Sequence, residues 1–522
     1  MNAVTRGLSH AGSALRALNW AGITRVVVPA GVAVGLVAFT TANPREIELV
    51  EATGSSEASV AGFSLATRVT QTCTGPELSG IPGVPDATVP ATVTAAAGPE
   101  ELLPAPATGD GRLVAASGST EVLTLGARPG VQSAPLGGAG AVVLTGEGPF
   151  APAVAATQEW RVERPELRGL VSVPCGPGAA EHWLLGGGEG PGRQERLVLS
   201  NPGANPVTAD VTVHGAAGPL ADPYVETVPP GGRVSLLLDA KAGEESLLAV
   251  HVRAGGGGVR ATLTDTWIEG SRALGAETTS ATAAASEVQV VPGVAFGGGP
   301  TAVRVAVPGD QDAVVRVSVF GPQGLVPTTG ESVLSVVAGG VGQLEVQGVP
   351  AGTYAVALRA DVPVVASVLS RTVSSGAPAT AGGVADDQVT PGDFAWSTSV
   401  EGVPSAVPDD QTAPVAAAAF DPTGEVDRTL HLISVGGNGT VEVLTVVDGT
   451  ARSRRIDLLG DRLVTVDLDG ASSVWVRPVT GSGLVHGSVL SGVGEGASRL
   501  ISSMPLQASA VTSAVSRAFP LP

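Results

Sequence analysis

A β-strand pattern that recurs three times along the chain limits the folds available to it. The three copies begin at Arg196, Ala302 and Thr429, on the order of a hundred residues apart. Each copy opens with two strands in which apolar residues alternate with polar ones, joined by a turn of Gly, Asn, Pro or Asp. Alternation with a period of two is typical of antiparallel strands that bury one face. The repetition therefore predicts an all-β protein.

A hairpin with a shared sequence closes each copy. Its first arm ends in an arginine, namely Arg253, Arg359 or Arg477. Because one face of every strand is apolar, a second sheet must cover it. We therefore predict tandem antiparallel β-sandwich (Ig-like) domains. Separate domains and a mutually packed cluster of sheets both fit the pattern, and a propeller-like closed arrangement is a further alternative.

The copies and the composition between them predict the segments of the chain. The expected linkers run from Ser271 to Ser286 and from Ser374 to Asp387, because both are rich in Ala, Ser, Thr and Gly. The predicted segments are a cytoplasmic N-terminus (1–25), a transmembrane signal-anchor (26–42), a divergent β domain (46–160), three β-sandwich repeats (165–270, 287–373 and 394–495) and a C-terminal tail (496–522).

The N-terminal sequence predicts the location of the protein. Arg6, Arg16 and Arg25 precede an uncharged run from Val26 to Ala42, which is near the short limit for one helix across a bilayer. Positive residues favour the cytoplasmic side, so we expect a single-pass cell-membrane protein whose bulk is extracytoplasmic. Alternatively, the run belongs to a signal peptide cleaved after Ala42, and the protein is secreted.

The charge limits the classes of partner that the protein can bind, and the cysteine content bears on its cellular compartment. The formal net charge of the 522 residues is −19, which argues against nucleic-acid binding because no basic face can neutralise phosphates. The two cysteines, Cys73 and Cys175, both follow the apolar run. In an oxidising compartment we expect a disulfide between them, with two unpaired buried thiols as the alternative.

Motifs for catalysis and for metal binding are absent from the sequence. It contains neither the GxSxG nucleophile elbow nor HExxH. The six histidines never fall at metal-ligand spacing. Acidic pairs such as Asp310 and Asp312 lack the full oxygen-ligand spacing of a calcium loop. We therefore predict no catalytic residue, no metal and no cofactor.

Trp183 is the first candidate for a binding residue, together with its neighbour His182. Both lie in a Gly-rich segment after Cys175, where a loop is expected to lead into the first copy. Aromatic rings pack against the faces of sugars, so one interpretation is a ligand surface. Packing in the protein interior is the alternative interpretation.

A family resemblance begins at Cys175. The resemblance is carried by Cys175, by Glu181-His182-Trp183, by the strand from Arg196 to Pro202 and by the segment from Gly215 to Pro219. From this cysteine on, the sequence resembles an uncharacterised family of actinobacterial exported proteins, which is described only as a domain of unknown function. The resemblance covers roughly residues 60 to 500. It implies an N-terminal membrane segment, a β-rich exterior and an association with envelope glycopolymer assembly. It supplies no catalytic residues.

These observations favour a non-catalytic extracytoplasmic envelope protein. It would bind or scaffold a cell-envelope protein or a cell-wall polymer, and residues 26–42 would hold it in the membrane. The first alternative is a glycan-acting enzyme of the cell envelope, with carboxylates brought together across domains. The second is a small-solute capture module, which requires a deep pocket between domains.

Overall fold

The structure, a computed structural model, describes residues 63–514 except for 139, 189–191, 221–222, 244, 374–390, 406–413 and 424. This part of the chain is all-β and forms several antiparallel sheets, which confirms the predicted fold class at that level. Its longest α-helix, α1, spans Asp239–Ala242. Within the described ranges, no helix has the length and apolar character needed to cross a membrane. The predicted signal-anchor at 26–42 lies outside them.

Two facing sheets form the first sheet pair, in the orders β2-β7-β4-β5 and β6-β3-β8-β9. Val93 and Leu113 are fully buried between the sheets. Cys73 ends one strand and forms a disulfide with Cys175, so the predicted disulfide is confirmed. The strands, with β1 before them, are β1 (Phe63–Leu65), β2 (Arg68–Cys73), β3 (Ala91–Ala97), β4 (Leu113–Ser117), β5 (Thr120–Leu125), β6 (Gly130–Leu136), β7 (Val142–Glu147), β8 (Val154–Arg164) and β9 (Leu167–Pro174).

The second sheet pair contains the first copy of the repeat. Its sheets run β10-β16-β12-β13, with β14 beside β12, and β15-β11-β17-β18. Leu197, Leu199 and Val211, at alternate strand positions, are fully buried between them. The strands are β10 (Glu181–Leu185), β11 (Arg193–Ser200), β12 (Val207–Gly215), β13 (Gly218–Pro219), β14 (Tyr224–Val228), β15 (Arg233–Leu237), β16 (Ala249–Ala254), β17 (Arg260–Glu269) and β18 (Arg272–Ser280).

One long strand joins both sheets of the third sheet pair. The first half of β25 pairs with β19 and β21, and its second half pairs with β20 and β26. The valines of β20 and β21 fill the core between the two halves. The strands are β19 (Ser286–Phe296), β20 (Thr301–Ala306), β21 (Ala313–Gly321), β22 (Gly324–Val326), β23 (Val333–Val336), β24 (Val341–Val346), β25 (Gly352–Arg371) and β26 (Phe394–Thr398).

The fourth sheet pair contains the third copy of the repeat. Its sheets run β27-β34-β29-β32, with β35 beside β34, and β31-β30-β33-β28-β36. Leu430, Val441 and Val474 are fully buried between them. The strands, followed by β37, are β27 (Val403–Pro404), β28 (Val415–Ala419), β29 (Asp427–Val435), β30 (Gly439–Val447), β31 (Thr450–Leu458), β32 (Leu463–Asp467), β33 (Ala471–Gly481), β34 (Leu484–Val493), β35 (Leu500–Pro505), β36 (Gln507–Ser509) and β37 (Thr512–Ala514).

Four strands, one from each sheet pair, pack together and are called the hub: β9, β18, β26 and β35. β9 packs against β18 and β35, and β26 packs against the same two strands. The starts of the strands meet, since Ile501 N donates to Asp393 Oδ2 at 2.9 Å and Gly392 N donates to Ala273 O at 2.9 Å. The sheet pairs thus form a closed cluster rather than a string of separate domains.

The two ends of the described chain close this cluster. β1 pairs antiparallel with β37, which places Phe63 opposite Ala514. Next to this pair, Ala153 N of the first sheet pair donates to Ala510 O at 2.8 Å. β36 pairs with β28 at the edge of the fourth sheet pair. The last strands therefore connect the fourth sheet pair to the first.

The observed strand pairing differs from several of the segment boundaries predicted from the sequence. β8 and β9 form one hairpin, so the first sheet pair extends past residue 160 to Pro174. The linker prediction from Ser271 to Ser286 was wrong, because β18 occupies most of that range and is buried. β26 pairs with β25, so the third repeat does not begin at residue 394. The predicted tail contains β35, also buried. The expected linker from Ser374 to Asp387 lies outside the described residues.

Candidate functional site

A cleft of about 430 Å³ lies between the first and second sheet pairs. The first pair contributes the loop before β3 and the β8–β9 hairpin, and the second contributes β11, β17 and the start of β18. A cleft between two packed units is a common position for a small-molecule site. Its polar and aromatic lining includes Asp86, Arg164, Glu166, Gln194, Arg196 and Trp267.

Arg196 and Gln194 enter the cleft from β11. Strand alternation places them on the face opposite Leu197 and Leu199, which fill the core of the second sheet pair. Arg196 Nε and Nη2 donate to Gln194 Oε1 at 3.1 and 2.7 Å. Burial lowers the pKa of Arg196, but a guanidinium remains a cation at neutral pH. Among the described residues Nη1 has no hydrogen-bond acceptor, so this atom is free to bind a ligand.

The β8–β9 hairpin supplies two further arginines, which differ in how firmly their side chains are held. Arg168 is held because Nη1 lies 2.8 Å from Glu163 Oε2 and Nη2 donates to Ser498 O. Arg164 is more exposed, with Nη2 3.1 Å from Thr88 O and Nε 3.5 Å from Glu166 Oε1. Exposed ion pairs of this kind are weak. Arg164 can therefore turn toward a ligand, whereas Arg168 is part of the cleft wall.

Trp267 forms the aromatic wall of the cleft and is half-buried. The Arg193 Cζ lies 4.9 Å from the centroid of its ring. Arg193 is itself fixed by two hydrogen bonds to Asp265, of 2.9 and 2.6 Å. A cation held against an aromatic ring restricts the ring's position. The indole is therefore preorganised before any ligand enters.

Behind Trp267, a buried ionic network joins the second and third sheet pairs. Trp396 Nε1 donates to Asp265 Oδ2 at 2.9 Å, and Arg304 Nη1 donates to Gly186 O at 2.9 Å. Burial, and next the charge of Asp265, raise the pKa of Glu195 beside Arg193 above its ordinary value. Buried charges need such partners because their desolvation is unfavourable. The network supports the cleft wall and is itself out of reach of a ligand.

Two buried carboxyl groups, Glu277 and Asp393, lie in and beside the hub. Glu277 Oε1 accepts from Ser502 Oγ at 3.1 Å, and Asp393 Oδ2 accepts from Ile501 N. Burial raises the pKa of both groups well above the ordinary range. Neither side chain is accessible to solvent. These groups therefore connect the hub strands and are closed to a substrate.

The sequence candidates Trp183 and His182 lie in the interior, away from the cleft. Trp183 is 5% exposed and stacks on His251 with a 4.3 Å centroid distance. It packs between the second and third sheet pairs, against residues such as Val365. The His182 Nε2 is 2.6 Å from Val259 O, and burial lowers the pKa of His182 to about 4.

Sequence reasoning missed the cleft residues Arg164, Arg196 and Trp267. A signal for Arg196 exists: in the strand RQERLVLS, Gln194 and Arg196 are polar residues on the face opposite the buried leucines. The signal does not show that this face meets the β8–β9 hairpin. Across the described ranges, no group of three or more His, Cys, Asp or Glu side chains is arranged to hold a metal ion.

Comparisons with known proteins place the chain in a family but give it no activity. No curated protein matches it. The crystal structure of Thermotoga maritima 1070 is similar over 20% of this chain and 93% of that chain, with 18% identity and a TM-score of 0.17, which supports no further statement. A sequence model of a family of unknown function (DUF5719) matches residues 130–469. Because this match spans more than half of the chain, the protein belongs to that family of unknown function (DUF5719).

Proposed function

We propose that the protein is a non-catalytic envelope protein that binds an acidic glycan in the cleft between the first and second sheet pairs. The observation that carries this proposal is the free Nη1 of Arg196 in the same cleft as the half-buried ring of Trp267. A guanidinium binds carboxylate or phosphate groups, and an indole packs against the apolar face of a sugar. The net charge of −19 disfavours anions over most of the surface. In the cleft, by contrast, three arginines outnumber the two carboxyl groups, Asp86 and Glu166.

The proposed location is outside the cytoplasm of an actinobacterial cell, with the chain anchored through residues 26–42 or secreted after cleavage at Ala42. The disulfide supports this location because disulfides persist in oxidising compartments. Facing antiparallel sheets also support the proposal that the sheet pairs are Ig-like sandwich domains. A cell-wall glycopolymer is the proposed source of the ligand, and a cell-envelope protein is the alternative partner.

The cleft is tested by calorimetry of the full chain with trigalacturonate, an acidic trisaccharide, and with neutral maltotriose. We expect saturable binding of trigalacturonate only. Arg196→Gln should weaken it by about tenfold to a hundredfold, since a hydrogen bond to a charged group contributes about 1.5–3 kcal/mol. Trp267→Ala should weaken it as well. The matched control is Arg454→Gln, an exposed arginine on β31 that lies outside the cleft. Equal affinity of wild type and Arg196→Gln contradicts the proposal.

A glycan-acting enzyme is the second candidate, because Asp86 and Glu166 both line the cleft. Most glycosidases use a pair of carboxyl groups on either side of the scissile bond. Mass spectrometry of acidic oligosaccharides incubated with the full chain decides between the candidates. Intact oligosaccharides support the binding protein, whereas cleavage that is lost in Asp86→Asn supports the enzyme. A small-solute capture module would instead bind monogalacturonate as tightly as trigalacturonate.

A further inference from the structure

A second cleft, of about 390 Å³, lies between the third and fourth sheet pairs. Its lining includes Phe296, Arg371, Thr429 and Arg499, and its described lining residues include no Asp or Glu. Arg499 Nη2 lies 3.9 Å from Asp427 Oδ2, and the side chains of Arg499 and Asp427 are 38% and 73% exposed. An ion pair this long and exposed is readily exchanged for a ligand anion. The second cleft thus repeats the chemistry of the first, an aromatic ring beside guanidinium groups.

The two clefts adjoin each other at the same end of the hub. The Arg371 Cζ of the second cleft lies 5.8 Å from the ring centroid of Trp267 in the first. On the other side, Arg168 of the first cleft donates to Ser498 O, and the next residue, Arg499, lines the second. Both clefts also reach hub strands, through Gly275 of β18 and Ile501 of β35. One extended molecule can therefore lie in both.

We propose that the two clefts form one binding path across the end of the hub, which holds an extended acidic polysaccharide. The inference rests on the proposed function and names its ligand as a chain of several sugars. Arg196 in the first cleft and Arg499 in the second each bind an anionic group of the polymer. Trp267 and Phe296 provide apolar surface for sugar rings. Simultaneous contact with both clefts makes the second contact intramolecular, so affinity rises with polymer length.

The test compares galacturonate oligomers of about three to twelve sugars on the full chain in detergent micelles. For wild type we expect affinity to rise at least about tenfold once the oligomer spans both clefts. Arg499→Gln should remove this rise in affinity with oligomer length. Arg196→Gln should weaken oligomers of every length. Arg454→Gln is again the control, and the thermal unfolding midpoint of each variant reports on its fold.

The outcomes separate this inference from the proposed function. If Arg196→Gln weakens all oligomers but Arg499→Gln leaves the length dependence intact, the first cleft binds alone and the inference is wrong. If no oligomer binds wild type, both the proposed function and the inference fail. Polyphosphate is tested as a competing ligand, because it carries negative charge but has no sugar rings. Polyphosphate that competes as strongly as the long oligomer overturns the assignment to a polysaccharide.

Discussion

Glu77 lies fully buried where the first sheet pair meets Arg233 of the second. Gln158 Nε2 and Trp160 Nε1 donate to its carboxyl oxygens at 2.6 and 3.1 Å. Burial is the main cause that raises the pKa of Glu77 from 4.5 to about 7, and the hydrogen bonds and Arg233 oppose it. Its charge therefore changes near neutral pH at a contact between sheet pairs.

Replacing Glu77 should change the pH dependence of stability. Between about pH 4.5 and 7 the folded state holds the Glu77 proton more tightly than the unfolded state. Stability thus falls as pH rises through this window, by at most about 1.4 kcal/mol per pH unit from this one group. Glu77→Gln does not titrate there, so urea unfolding should show a shallower fall. The matched control is Glu166→Gln, an exposed carboxyl. Parallel pH profiles for wild type and Glu77→Gln contradict the prediction.

At the scale of single elements, the hub strands depend on small residues. In the hub strand LRGLVSVP, Gly169 faces Ala276 of β18. A Cβ on Gly169 would lie 2.5 Å from Ala276 O and 3.0 Å from Ala276 Cβ. The strands could not keep this separation with a larger side chain. The segment around β18 is rich in Ala, Ser, Thr and Gly, which resembles a linker in sequence. Close packing of the hub strands requires such small side chains.

Gly169→Ala should destabilise the protein by about 2 kcal/mol, since overpacking forces strands apart. The control is Gly126→Ala, because a Cβ at Gly126 meets no atom within 4 Å. Urea denaturation of both variants gives the difference in free energy of unfolding. A Gly169→Ala variant as stable as Gly126→Ala would show that β9 and β18 are not packed this closely.

At the scale of the whole molecule, the closed cluster depends on its last strands. β35 packs between β9 and β26, and β37 pairs with β1. Ser502 Oγ and Ile501 N hydrogen-bond to Glu277 and Asp393. Without β35 these two buried carboxyl groups lose partners, which is unfavourable for any buried polar group.

A chain that ends after Glu495 should unfold at a clearly lower temperature than wild type, because it lacks β35, β36 and β37. We also expect limited proteolysis to cleave the hub strand β18. The control is a chain that ends after Ala514, which keeps every described strand. Equal unfolding midpoints for the two truncated chains would mean that the last strands do not close the cluster.

The sequence alone determined the all-β class, because few structures other than β-strands fit apolar residues that alternate with a period of two. It also indicated the disulfide, since Cys73 and Cys175 are the only two cysteines. Tertiary structure decided the rest. β18 is rich in small residues and β35 has only six residues, so only their neighbours in the hub identify them as central strands. The cleft forms where the β8–β9 hairpin lies beside β11. Contacts between such distant segments leave no local pattern in the sequence.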